Sequence, residues 1–185
     1  MNDVNVQSWM SWEGGVDLVA LSQEGLEQPN VIVHIARMVH TPVGAAASGM
    51  VLIPGPDGQP QLAGFVSTSE TVGRYFGPNI FAGTPFENAP VLQGEIEVEV
   101  DAPRLARVKV TVAGYVIESE LRDFGDLQAA DRTPGNLPFH DRSLEARAAQ
   151  ATLSVNGQNI PIIVPPVGMS GGPAAVWAPC GIYWR

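Results

Sequence analysis

The sequence predicts an all-β fold: a single-domain antiparallel β-barrel of about eight strands with a short N-terminal helix, a two-sheet β-sandwich being the alternative. Among the branched apolar residues, 22 Val and 10 Ile stand against 12 Leu, a bias toward side chains stiff at Cβ that suit a pleated strand. The 20 Gly and 16 Pro follow no fixed period and gather between short apolar runs, where they read as turns. Two segments flanking Asp101-Ala102-Pro103-Arg104 also match in a single hairpin register. A chain of 185 residues and 19.6 kDa is long enough for one domain with one sizeable core.

In chain order, residues 1–15 form an N-terminal segment and 16–185 the barrel domain. Within DVNVQSWMSWE at 3–13, Asp3 supplies an N-cap and Val6, Trp9 and Met10 fall at helical spacing, so a short helix is expected there, placed to act as a lid, although strand alternation also fits part of the segment. Strand-like runs follow at 16–21, 31–38, 45–53 and 61–68. Pro54-Gly55-Pro56-Asp57-Gly58 separates the last two and is turn chemistry, which pairs them as a hairpin. Ser69 and Glu70 open a helical turn before Gly77-Pro78, and the stretch through FAGTPFENAP at 81–90 is irregular.

With Val98 opposite Val108, Ile96 meets Val110 on one face while Glu99 meets Arg107 and Glu97 meets Lys109 on the other. A slip of one residue would turn the valines to water, so this register is well specified. The apolar positions then change phase, from even-numbered Val108, Val110 and Val112 to odd-numbered Tyr115, Ile117 and Leu121. A bulge at Ala113-Gly114 in one continuous strand would restore a common inward face and help a barrel close. SLEARAAQ at 143–150 reads either as a helix or as the start of a long strand, and Asn156-Gly157 marks a two-residue hairpin. The runs at 31–38 and 45–53 are apolar on both faces, which favours a barrel whose outer wall is covered by the N-terminal segment or by a subunit partner.

Ten Lys plus Arg against nineteen Asp plus Glu give a formal charge of −9, which repels phosphate backbones and anionic membrane surfaces, so neither nucleic acid nor membrane is an expected partner. The first 36 residues contain no Lys or Arg and lack the order of a secretory signal. No apolar run approaches the roughly 20 residues of a membrane-crossing helix; a cytoplasmic protein is expected. Cys180 is the single cysteine, which excludes an internal disulfide and a Cys-rich zinc site. Neither a dinucleotide fingerprint nor a P-loop is present, and no cofactor is expected.

His34 and His40 share strand parity with Ile32, Ala36 and Met38, which sends both imidazoles to one side of the sheet. An apolar lumen holding imidazoles can bind a small molecule and move a proton, because histidine titrates near neutral pH. His34 and Tyr115 are the expected catalytic pair, and Trp9, Trp12, His40, Tyr75 and Phe76 the expected substrate contacts. The plainer reading makes His34 a hydrogen-bonded core residue and His40 a loop residue before Thr41-Pro42. His34, His40 and His140 lack the spacing of a metal motif, and no metal is expected. Trp9, Trp12, Trp177 and Trp184 lie near the termini, where they cap a ligand, pin the chain ends or make a dimer contact.

Gly168-Met169-Ser170-Gly171-Gly172-Pro173 resembles the GxSGGP stretch around the nucleophile of chymotrypsin-like serine proteases. The resemblance covers these six residues and implies Ser170 as a nucleophile. Only fifteen residues follow Ser170, and the plainer reading is a Gly-rich turn between Val164-Pro165-Pro166 and a last strand near Val176. The leading functional expectation is a barrel that binds a small apolar molecule in its interior, as a carrier or as a cofactor-free cyclase or isomerase. A non-enzymatic oligomeric module is the alternative, with a homodimer as its simplest form, and a serine hydrolase using Ser170 is third.

Overall fold

The computed structural model describes residues 8–135 and 137–185. Eleven strands are present among these residues: β1 (Trp9–Ala20), β2 (Val31–Thr41), β3 (Gly44–Pro54), β4 (Pro60–Ser67), β5 (Val91–Asp101), β6 (Leu105–Val112), β7 (Tyr115–Phe124), β8 (Gln128–Arg132), β9 (His140–Val155), β10 (Gln158–Asn159) and β11 (Ala175–Trp184). One short helix, α1 (Glu70–Tyr75), runs into a π-helical turn at Phe76–Ile80. The strands form one sheet that closes in a ring in the order β9-β11-β1-β2-β3-β4-β5-β6-β7, with β7 returning to β9; β8 and β10 attach to β9. The all-β expectation therefore holds. Every pairing is antiparallel except β4 with β5, which run parallel from Phe65 opposite Val91 to Ser67 opposite Gln93. Parallel neighbours need a crossover, and residues 68–90, with α1 inside them, are that crossover.

The β5–β6 register has Val98 opposite Val108, Ile96 opposite Val110, Glu99 opposite Arg107 and Glu97 opposite Lys109. Arg107 lies 3.4 Å from Glu99 and Lys109 3.5 Å from Glu97. The expected bulge at Ala113-Gly114 is instead a hairpin turn: Val112 faces Tyr115, and both turn residues have positive φ, 50° and 83°. That reversal, with Val112 and Tyr115 paired directly, is what moves the inward positions from even to odd numbers. Asn156-Gly157 forms the second such turn, with φ of 51° and 76° between β9 and β10. SLEARAAQ lies within β9, a strand of 16 residues that pairs with β11 through its first half and with β7 through its second.

The N-terminal helix is not formed at residues 9–13, and residues 3–7 lie outside those described. β1 runs unbroken across the expected boundary at residue 15, paired with β11 on one side and β2 on the other. Met10 and Trp12 alternate with Trp9, Ser11 and Glu13 in burial, a period of two that two waiting ladders reward over a turn of helix.

One apolar cluster draws on every strand of the ring, including Leu18, Val33, Val51, Val66, Val108, Ile117 and Ala146. It fills the interior with side chains, so the ring encloses a packed core where the sequence suggested a ligand lumen. The second cluster lies on the outer face of β1 to β4 and β11 and includes Trp12, Ile32, Met50, Phe65, Phe139 and Tyr183. Val72 of α1, with Ile80 and Phe81, covers it, so this chain itself roofs the strands that are apolar on both faces. Two hydrogen bonds tie the roof to the sheet: the Trp9 N–H donates to the Tyr75 hydroxyl at 3.1 Å, and Arg185 Nη1 donates to the Ala82 carbonyl at 2.6 Å.

Gly14, at φ 62°, adopts a left-handed conformation that breaks the alternation of β1. Trp12 consequently projects to the same outer face as Gly15, where a Cβ would stand 2.9 Å from its Nε1. No helix among the described residues is long and apolar enough to cross a membrane.

Candidate functional site

Between the outer face and its roof lies an apolar cavity of about 60 Å³, walled by Val19, Ile32, Met50, Phe81, Phe86, Leu137, Phe139 and Met169, with Asp17, His34, Ser170 and Tyr183 at its polar side. Two recesses adjoin it and share Ser170 with it. One, of about 290 Å³, is bordered by Arg132, Leu137, Phe139, Asp141 and Met169. The other, of about 30 Å³, is bordered by Trp12, Asp17, His34, Asp141, Glu145 and Tyr183.

The strand register assembles this polar side. Asp17 of β1 stands opposite His34 of β2, which stands opposite Met50 of β3. The Asp17 Oδ1 lies 3.4 Å from His34 Nδ1, with side-chain accessibilities of 26% and 27%. Burial works against a charge on His34, but the charge and hydrogen bond of Asp17, helped by Asp141 and Glu145, outweigh it and raise the imidazole above its ordinary value. Tyr183 of β11 packs between Trp12 and Phe139, its ring 4.5 Å from each, and stacks on His34 at 6.3 Å. Burial, followed by the charges of Asp141, Asp17 and Glu145, pushes its hydroxyl well above the usual phenol value, so it stays a neutral donor at physiological pH.

Behind this row, Arg132 of β8 reaches across to β9. Its Nη1 donates to Asp141 Oδ2 at 2.6 Å and to Glu145 Oε1 at 2.7 Å, while Nη2 donates to Glu145 Oε2 at 2.7 Å. Burial raises the Asp141 carboxyl above its ordinary value despite Arg132. In Glu145 burial is again the largest single effect and raises it, but the hydrogen bond and charge of Arg132, helped by Ser143 and His34, together outweigh it and hold it low.

The sequence-derived residues divide. His34, Trp12 and Ser170 meet around these cavities. Tyr115 does not: it borders a different cavity at the end of the ring, beside Ile53, Asn156 and Ile160, and packs against the interior cluster. His40 lies on the surface, its Nε2 3.1 Å from Glu13 Oε1. Tyr75 packs under the roof, and the Phe76 side chain lies outside the described residues. Trp9 is on the surface, 36% exposed, while Trp177 packs on Phe124 at 5.9 Å and Trp184 stacks on His140 at 4.9 Å. The chain thus uses Trp12, Trp177 and Trp184 for its own packing. The three histidines do not converge, and no group of His, Cys, Asp and Glu among the described residues is arranged to hold a metal ion.

Gly168–Pro173 is a turn, closed by Gly168 N–H to the Gly172 carbonyl at 2.7 Å and Gly171 N–H to the Gly168 carbonyl at 3.1 Å. Those two amides are engaged within the turn. Asp17, Asp141, Glu145, Arg132 and Tyr183 were not picked out from the sequence. Asp17 was within reach, since counting the β1–β2 hairpin places it opposite His34. No family model, curated protein or solved structure matches the chain, so the chemistry of the site rests on its geometry.

Proposed function

We propose that this protein binds a small, largely apolar molecule in the outer-face cavity and moves a proton on it through His34, as a cofactor-free isomerase or cyclase. The observation that carries this reading is the His34–Asp17 pair set in the wall of an apolar cavity beside a neutral Tyr183. Asp17 engages Nδ1, which leaves Nε2 as the nitrogen that exchanges a proton with a ligand. The raised imidazole gives a proton to one atom of the substrate and, once neutral, takes one back from another, so protons and electrons balance without a co-reactant. Tyr183 offers its hydroxyl to an oxygen that gains charge during the transfer. The apolar walls hold a flexible substrate near its reactive shape.

Native mass spectrometry of protein purified from its own host tests the binding, through a retained ligand. Incubating that complex in deuterated water tests the chemistry: deuterium enters carbon positions of the ligand with intact protein and fails to do so with His34→Gln. An empty protein, or equal incorporation in the variant, overturns the proposal.

A second reading is favoured by one observation, that Ser170 borders the same cavity as His34 and Asp17. Under it Ser170 is the nucleophile of an ester hydrolase. Hydrolysis of a p-nitrophenyl ester that is lost in Ser170→Ala supports it, and activity unchanged in that variant removes it.

A further inference from the structure

The buried ion network behind His34 leaves one acceptor unused. The Asp141 side chain is 5% accessible, and its Oδ1 is fully buried with no hydrogen-bond partner. Asp141 nevertheless borders both recesses that adjoin the apolar cavity. A buried carboxylate oxygen left without a donor is costly, and such groups in folded chains are normally satisfied.

The two side-chain donors of the network, Arg132 and Ser143, are bonded to other acceptors. Arg132 commits Nη1 to the other Asp141 oxygen and to Glu145, and Nη2 to Glu145. It cannot turn toward Oδ1 without releasing Glu145, and it packs against Gly172 from the other side. The Ser143 hydroxyl, which also favours the charged form of Asp141, donates to Glu145 Oε1 at 2.9 Å. The charges show the same deficit. His34 answers Asp17 and Arg132 answers Glu145, so Asp141, which holds Arg132 by one oxygen only, is the carboxylate without a counter-ion of its own. Aromatic rings border both recesses beside it, Trp12 and Tyr183 in one and Phe139 in the other, and such rings favour a cation nearby.

We infer that Asp141 Oδ1 is the anchor of a cation subsite: it accepts a hydrogen bond from the protonated amine of a ligand whose apolar part lies against Phe81, Phe86, Leu137 and Phe139. The inference rests on the proposed binding of an apolar molecule in this cavity and narrows that molecule to an amphipathic amine. His34 borders the apolar cavity and, with Asp141, one of the recesses, so an amine held at Asp141 keeps the ligand beside the proton-transferring group.

Three probes of nearly equal shape test it: benzylamine, benzyl alcohol and benzoate at neutral pH, read by the ¹³C-methyl signals of Met50 and Met169, which line the cavity. The amine is expected to saturate those shifts at about one-tenth the concentration the alcohol needs, as a charge-assisted bond replaces a neutral one. Benzoate is expected not to bind, and Asp141→Asn to bring amine and alcohol within about twofold of each other. An amine that binds no tighter than the alcohol, or a preference that survives in Asp141→Asn, overturns the cation subsite and leaves the apolar cavity standing. No shift with any of the three probes overturns both. The comparison in the intact protein decides the matter by itself if the variant does not fold.

Discussion

Replacing Gly181 with Ala is expected to destabilise the protein through a single contact, and to do the reverse once that contact is removed. Gly181 of β11 faces Trp12 of β1 across the ladder, and the indole lies over it. A Cβ on Gly181 would stand 2.7 Å from Trp12 Cε2 and nearer still to Cζ2 and Cη2, against the roughly 3.5–4.0 Å of an unstrained carbon contact. The ring must therefore move by about 1 Å or more, and it has little room to do so. A Cβ on Gly15 would be 2.9 Å from its Nε1, and the Tyr183 ring is centred 4.5 Å away. Overpacking of this kind costs about 1–3 kcal/mol, with the upper end expected for a confined ring.

Gly181 is not among the residues with positive φ, so its backbone accepts alanine. In a Trp12→Leu background the same substitution should stabilise by about 0.4–1 kcal/mol, because alanine lowers the entropy of the unfolded chain. Urea unfolding of the wild type, both single variants and the double variant gives the cycle, with an expected coupling of about 3.5 kcal/mol. A Gly181→Ala penalty of equal size in both backgrounds would refute the reasoning, since the cost would then lie in the backbone of β11.

The raised His34 makes stability depend on pH. The stabilisation it supplies is complete below 6.5, the ordinary imidazole value, and is lost as pH rises through the higher value of the folded chain. Asp17→Asn should flatten that decline, and urea midpoints taken at intervals from about pH 5.5 to 9 will show it; parallel profiles would rule out Asp17 as the cause. Arg132→Met strands Asp141 and Glu145 in a buried setting and is expected to cost about 3–5 kcal/mol at neutral pH, with recovery as acid protonates them. Arg132→Lys should restore little, because a compact ammonium cannot match the planar fork that serves both carboxylates. A loss below about 1 kcal/mol in the Met variant would show the network to be as weak as an exposed pair.

Features fixed by local chemistry were legible in the sequence. The Val98–Val108 register follows from alternation on two adjacent strands and the turn between them, and Asn156-Gly157 from the left-handed preference of those residue types. The Ala113-Gly114 reversal was misread as a bulge because a phase change looks the same whether the strand continues with one extra residue or turns back. The N-terminal strand was misread because Val6, Trp9 and Met10 satisfy a helical spacing while Met10 and Trp12 satisfy an alternating one, and two distant ladders decided between them. The site was the least legible part. On β9, Asp141 and Ser143 are buried while Leu144, the next residue, is 39% exposed, the inverse of the usual pattern. Only the salt bridge from β8 makes sense of it, and no local rule brings Arg132 to that place.

The parallel pairing of β4 with β5 bears on how a ring with a packed interior acquires a pocket. A ring built from hairpins alone joins each strand to its neighbour by a tight turn at one rim, which leaves the outer wall bare. One parallel step forces the chain to travel back along the outside before the next strand begins, and that return path is residues 68–90, which supply Phe81 and Phe86 to the cavity. Closure of the sheet and construction of the chamber are thus one topological event. Rewiring that step as a hairpin would leave the interior cluster of the ring intact while removing Phe81 and Phe86 from the wall of the cavity.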